Sequence, residues 1–404
     1  MDSLDILFLA PRIPWPLDTG GKIRTYYLLR ALARRHRVKL LTFRDRQAST
    51  AEGLRQLQDA GVWYELFARP GVLARARYIA SGVMGPLPIV VRKYQDAALQ
   101  RRVHELSRGG QVQVVHCDHV HMAPYGSAST APFVMDEHNV ESMIWERFSQ
   151  DDAEPMHRRV VFRQQAFLLR RLEARLAAEA ALVTVCSESD EVALRELCGA
   201  SAPQTQVVPN GVDIGYFTAS GPVEMSDHVF FTGSMDWAPN ENAVLGFLDE
   251  IWPEVRRRMP ELQFAVVGRD PSQTLRDRAR VGEVTVTGTV PDVRPYMREA
   301  LALLVPMRVG GGTRLKILEA FAARVPVVST GLGIEGIDAV PDEHYLRAET
   351  PGEFAEQIQR LQTDLQLRNE LAGAAHELVS GRYSWDAIGT HLAEEYQERF
   401  ARIH

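Results

Sequence analysis

Cysteine is scarce in this chain: Cys117, Cys186 and Cys198 are the three in 404 residues, an odd number with no C-x-x-C pair. That count excludes a disulfide framework and a cysteine-based zinc site, and the three read as reduced, half-buried fillers. Long apolar runs are also missing. The first residues offer only the short run 6–10, with no basic leader, too brief for a signal sequence or a membrane span, so the expected location is the cytoplasm. Short-period repeats and low-complexity tracts are absent. A pI near 6.1 without a recognisable base-reading module argues against a nucleic-acid partner.

What is present is globular: 45% hydrophobic and 24% charged residues, in a chain too long for one ordinary core, which makes two domains the expectation. The net charge of −6 conceals an asymmetry. Up to Val212 there are 27 Lys and Arg against 23 Asp and Glu; beyond it there are 19 against 29. The excess is arginine, at Arg69, Arg75, Arg77, Arg92, Arg101 and Arg102, and again at Arg158, Arg159, Arg163, Arg170, Arg171 and Arg175. Solvated helix faces are the plain reading. An anionic acceptor, or peripheral contact with an anionic membrane face, is the sharper one, because Val72, Leu73, Ile79, Phe167, Leu168 and Leu169 neighbour these arginines.

Apolar β-rich runs alternate with amphipathic helical stretches, the pattern of α/β parallel sheets covered by helices. One series has strands at 5–10, 38–43, 112–116, 133–135, 182–186 and 207–209 and a first helix at 25–35. A second has strands at 229–232, 263–267, 284–287, 302–305 and 327–329, with helices at 240–251 and 315–323. Between them, Pro209-Asn210-Gly211-Val212-Asp213 is turn chemistry and marks the hinge. The expected domains are therefore 1–211 and 212–383, with a last helix from 384 packing back toward the first domain.

Gly331-Leu332-Gly333-Ile334-Glu335-Gly336 matches the dinucleotide fingerprint, but Asp338, Pro341 and Asp342 interrupt where that fingerprint needs a helix, so the glycines are expected to let a loop pass close to a ligand or the opposing domain. Gly310-Gly311-Gly312-Thr313-Arg314-Leu315-Lys316-Ile317-Leu318-Glu319-Ala320 is different. A glycine run lies after a strand and before a helix, where free N–H groups meet an anion. Arg314 and Lys316 oppose the helix dipole there and would be unfavourable without an anion. The bland reading is a Lys316–Glu319 intrahelical pair, which leaves Arg314 and the glycines unexplained.

Together with Pro16-Leu17-Asp18-Thr19-Gly20-Gly21-Lys22-Ile23-Arg24, Val207-Val208-Pro209-Asn210-Gly211-Val212-Asp213 and Tyr383-Ser384-Trp385, this segment resembles the retaining family 4 glycosyltransferases of the GT-B fold along nearly the whole chain. The resemblance implies two Rossmann-like domains with parallel sheets facing across a cleft, the first for the acceptor and the second for the nucleotide sugar. It implies a retaining hexosyltransferase with a nucleoside-diphosphate donor, UDP-sugar favoured, a sugar, lipid-linked or small-molecule acceptor, and no cofactor or essential metal. It places Glu319 on the donor ribose, as the second glutamate of a Glu-x7-Glu motif whose first position here is Gly311. Backbone around Gly312, Thr313, Arg314 and Leu315 then recognises the sugar. At Gly233-Ser234-Met235-Asp236-Trp237, where relatives have an arginine and a later lysine on the diphosphate, Arg314 and Lys316 are the expected substitutes. Gly20 and Gly21, followed by Lys22 and Arg24, are expected near phosphate or acceptor. His138, after the strand ending in Met135, matches a histidine on the donor sugar, with a hydrogen-bonded structural role as its bland alternative. Trp237 and His116 to His121 are expected to pack first and line a site second.

The implied chemistry is departure of a nucleoside diphosphate through an oxocarbenium-like transition state, with His138, Arg314 and Lys316 acting where charge develops. A nucleotide-sugar epimerase, a silent nucleotide-sugar-binding protein and an NAD oxidoreductase are the rivals.

Overall fold

A computed structural model describes residues 3–44, 50–69, 82, 85–151, 155–218, 227–298, 300–309 and 313–401. Two compact units divide the chain: Met1–Pro209 with Asp386–His404, and Asn210–Trp385.

Unit 1 holds seven parallel strands, β1 (Asp5–Ala10), β2 (Arg37–Phe43), β3 (Trp63–Phe67), β4 (Val114–Asp118), β5 (Phe133–Glu137), β6 (Leu182–Val185) and β7 (Thr205–Val207), in the order β3-β2-β1-β4-β5-β6-β7. Helices cover both faces, so the central strands are apolar without alternation; Ile6 to Ala10 are all buried. In register, Phe8 lies between Leu40 of β2 and His116 of β4. The half-exposed edge strand β3 has too mixed a pattern to announce itself, and sequence reading missed it. The first helix, Gly20–Ala33, starts five residues earlier than the expected Thr25, so Gly20 and Gly21 form its first turn rather than a preceding loop. The final helix, Trp385–Phe400, belongs from Asp386 onward to unit 1. There the Ala393 carbonyl meets His36 Nε2 at 3.0 Å, Tyr396 Oη meets His116 Nδ1 at 2.6 Å, and Gly389 lies against Ala31.

Unit 2 holds six parallel strands, β8 (His228–Thr232), β9 (Gln263–Val267), β10 (Thr285–Gly288), β11 (Ala302–Val305), β12 (Val327–Ser329) and β13 (Leu346–Arg347), ordered β10-β9-β8-β11-β12-β13. Its core is aromatic on one side, where Phe247 and Phe264 ring centroids are 4.7 Å apart. The helix expected over 240–251 opens into a π-helical turn, Phe247–Ile251, before Trp252–Arg258. Pro253 has no N–H for an α-helical bond, and the wider turn removes the demand for one. The GLGIEG segment after β12 forms turns and no helix. Gly333 is there for packing within its own unit: a Cβ would stand 2.2 Å from Ser329 Oγ and 2.8 Å from the Val305 carbonyl.

Cys117 and Cys186 are fully buried and Cys198 half-buried, all as free thiols. Among the described residues no helix is long and apolar enough to cross a membrane.

Candidate active site

Strand order in unit 1 turns round between β1 and β4, and open parallel sheets place ligands outside the C-terminal strand ends at such a point. Asp118 ends β4 and stands in register with Asp136 of β5. Both are buried, and charge can be kept there only with partners. Arg24, fully buried on the first helix, grips Asp136 with two bonds, Nε to Oδ2 at 3.0 Å and Nη2 to Oδ1 at 2.6 Å, and gives Nη1 to the Val208 carbonyl at 2.7 Å. Thr184 donates to Asp136 at 2.6 Å. Asp118 accepts from Thr25 at 3.0 Å, faces His119 Nδ1 at 3.1 Å and takes a bond from His138 Nε2 at 2.8 Å. His138 Nε2 is also 3.1 Å from Asp136.

Burial alone would raise both aspartates, but His119 and His138 hold Asp118, and Arg24 and His138 hold Asp136, below the usual carboxylate range. Burial likewise opposes charge on His138, yet Asp118 and Asp136 win and raise it above an ordinary histidine. His119 goes down, by burial and by its charged neighbour His138. Its backbone sits at φ 69°, a left-handed conformation uncommon outside glycine, which turns its ring onto His138 with centroids 3.6 Å apart. Alternation along β5 sends the neighbouring Glu137 away from this network, and there burial and Glu173 push its carboxyl well up.

Above the network lies the N-terminus of the first helix, where Thr19 supplies no side-chain cap and keeps a buried hydroxyl without a partner. At Gly21 a Cβ would come within 3.5 Å of His119 Nε2 and 3.6 Å of both His138 Nδ1 and Arg12 Nη2. Glycine therefore leaves a space into which three nitrogen groups point.

Unit 2 has its own turn-round, between β8 and β11. Lys316, in the first turn of the helix Leu315–Ala322, sends Nζ to Asn240 Oδ1 at 3.0 Å and lies 3.7 Å over the Phe231 ring. The loop after β8 passes beneath it: a Cβ on Gly233 would stand 2.9 Å from Lys316 Nζ, and a Cβ on Gly268 would stand 1.7 Å from the Gly233 carbonyl. Burial, then Arg314, hold the Lys316 ammonium well below the lysine range, against the pull of Glu319. Glu319 is pushed up to about 7 by burial, with Lys316 opposing. No Lys316–Glu319 ion pair forms among the described residues, so the bland pairing gives way to a lysine held by an amide and a ring. The helix has no side-chain cap at Arg314 and no acid in its first turn, and Thr313 keeps a buried, unpartnered hydroxyl.

The expected residues thus fall into two groups. Gly20, Gly21 and His138 meet in unit 1; Gly233, Thr313, Arg314, Leu315, Lys316 and Glu319 gather in unit 2. Gly311 and Gly312 lie outside the described residues, as do Val72, Leu73, Arg75, Arg77 and Ile79. Two expectations need correction. Arg24 is committed to Asp136, and Lys22, also buried, is paired with Asp18 at 2.9 Å, so neither is placed to meet a phosphate. His116 packs, stacked on Phe8 at 4.1 Å, while His119 joins the network. Asp118, His119 and His138, and likewise His116, Asp118 and Asp136, are close enough to share an ion, a convergence that helical spacing did not disclose.

The sequence matches the family profile for Glycosyltransferase Family 4 over residues 19–216 and that for Glycosyl transferases group 1 over residues 226–364. This chain is a family 4, group 1 glycosyltransferase. It is 27% identical over 207 residues to a phosphatidyl-myo-inositol mannosyltransferase of Mycobacterium tuberculosis and 29% over 201 residues to that of Mycolicibacterium smegmatis. These matches cover 47% of this chain and only about half of each relative, 53% and 51%. Solved structures of Anabaena HepE with UDP and glucose and of sucrose-phosphate synthase from Thermosynechococcus elongatus share the fold, each with a TM-score of 0.69 over 98% of this chain and 99% of theirs, at 16% and 18% identity. The glycosyltransferase has the GT-B combination of two Rossmann-like parallel sheets. Sequence reading did not single out Arg12, Asp118 and Asn240, which the fold brings to these strand ends. For Asp118 a signal existed, a carboxylate at the C-terminal end of a buried strand; Arg12 and Asn240 carry none.

Proposed function

We propose that this glycosyltransferase takes a sugar from a nucleoside-diphosphate donor, a UDP-sugar, and transfers it with retention to an acceptor hydroxyl. The carrying observation is Lys316: a half-buried lysine whose Nζ lies over Phe231, beside an uncapped helix start and a side-chain-free Gly233. In this reading the donor diphosphate lies at that helix start, Glu319 accepts from the ribose, and Thr313, Arg314 and Leu315 contact the phosphates and the sugar. An arriving diphosphate restores the Lys316 ammonium that burial opposes, so the positive charge is largest where the leaving group gains negative charge. His138, its Nε2 anchored on two carboxylates, presents Nδ1 beside Gly21 as a hydrogen-bond donor to the reacting sugar. The UDP complexes of Anabaena HepE support the base, and the mycobacterial mannosyltransferases support hexosyl transfer. Donor binding needs no metal, as the cations come from side chains.

The test is calorimetric titration of the full chain with UDP, GDP, ADP and TDP, with and without EDTA, and again after Lys316→Ala. UDP is expected to bind with EDTA present, and the substitution to weaken it roughly tenfold to a hundredfold, the worth of one charged hydrogen bond. Equal UDP binding by the variant overturns the site, and a preference for another nucleotide overturns the donor.

A further inference from the structure

The two arginine groups of the amino-terminal half part company in the fold. In the first, Arg102 is held by Glu65 and Glu105, and Arg75 and Arg77 lie outside the described residues. The second lies on the long helix Met156–Glu179, which packs Leu169, Leu172 and Leu176 into the core of unit 1. The opposite face of this helix is bare. Met156, Val160 and Phe167 are 71%, 62% and 58% exposed, and Arg163, Arg170, Arg171 and Arg175 are exposed among and beyond them. Steps of three and four residues put Met156, Val160, Arg163, Phe167, Arg170 and Arg171 on one stripe.

No carboxylate of the helix shares that stripe. Glu173 is buried and accepts from the Ser142 N–H at 3.2 Å, and Glu179 accepts from Ser127 Oγ at 2.5 Å. Arg163, Arg170 and Arg175 make no hydrogen bond or ion pair among the described residues, and Arg171 lies 5.7 Å from the Phe167 ring centroid. A basic helix of unit 2 provides the contrast. On Trp252–Arg258 all three arginines are matched, Arg257 and Arg258 by Glu254 and Arg256 by Glu283. Single exposed apolar residues are ordinary, but three on one stripe among unmatched guanidinium groups suit a partner that is anionic at its surface and apolar beneath. A second copy of this chain would set arginine against arginine. A nucleic acid backbone would engage the arginines and leave Phe167, Val160 and Met156 in water.

We propose that the bare face of the helix Met156–Glu179 docks unit 1 on an anionic lipid surface. Met156, Val160 and Phe167 enter the boundary between headgroups and acyl chains, while Arg163, Arg170 and Arg171 meet lipid phosphates. None of these residues belongs to the strand-end networks, so the docking face stands or falls independently of the donor reading.

The experiment is co-sedimentation of the full chain with phosphatidylcholine vesicles, with and without phosphatidylglycerol, at physiological ionic strength. Wild type is expected to sediment with the anionic vesicles alone, and less as salt is raised. Arg163→Gln combined with Arg170→Gln should weaken capture roughly twentyfold to thirtyfold, about fivefold for each arginine, and Phe167→Gln should weaken it roughly tenfold. Arg257→Gln combined with Arg278→Gln, the same loss of charge on unit 2, should leave capture unchanged. All five side chains are exposed, and unaltered melting temperatures check that the variants fold. Wild type that ignores anionic vesicles, capture that survives the Arg163 and Arg170 pair or Phe167→Gln, or an equal loss from the unit 2 pair overturns the proposal. Binding to duplex DNA in place of vesicles, lost with the same arginine pair, assigns the face to nucleic acid and overturns the lipid.

Discussion

The two strand-end sites of this glycosyltransferase solve opposite problems. At the ends of β4 and β5 in unit 1 the buried carboxylates are balanced before any ligand arrives: Arg24 faces Asp136, and Asp118 faces two imidazoles. In unit 2 the charge is withheld, with Lys316 pressed down by burial and Glu319 pushed up to about 7. Unit 1 therefore holds positions, whereas unit 2 is completed by what binds. The first kind of site is costly to damage; the second costs stability simply by being there.

Arg24→Met should break that contrast most visibly. It leaves Asp136 buried without its guanidinium, and removing one partner of a buried pair costs about 3–5 kcal/mol, read as a lower urea midpoint. A loss under about 1 kcal/mol would mean that unit 1 is no more committed than unit 2. His138→Ala should be next: transfer slows about a hundredfold, as for loss of one preorganised donor. A pH signature accompanies it. Because the folded state raises the His138 value, its stabilisation is complete below the ordinary histidine value and disappears as pH rises through the raised one. Melting temperatures of wild type and variant should converge with increasing pH, and a constant gap would assign His138 to packing alone. The smallest effect has the opposite sign. Glu319→Gln should leave stability unchanged at pH 5 and raise it slightly above about 7, where wild type holds a buried carboxylate, while weakening nucleotide binding. A variant less stable at pH 8 would place Glu319 among the structural groups.

Most of the sheets was legible from apolar runs, because strands buried on both faces cannot hide their composition; β9, β11 and β12 fall where the pattern put them. The misses were β3, an edge strand with mixed exposure, and β13, two residues long. The Lys316 helix was legible because its basic first turn contradicts the dipole. Arg12 was not, since nothing local distinguishes it from other arginines; only the fold carries it to Gly21. Arg24 was misread for a related reason. A basic residue in the first turn of a helix looks like an anion ligand until the strand holding its carboxylate, β5, is placed beside it.

Unit 1 is not continuous in the chain. His116, on the central strand β4, has its Nδ1 bonded to Tyr396, 280 residues downstream. During synthesis at roughly 5–20 residues per second, the amino-terminal sheet thus stands for many seconds without the helix that closes it, while all of unit 2 is being made. The sheet begun first is closed only after unit 2 has been made, and a chain that stops before Asp386 carries its fault in its opening strands.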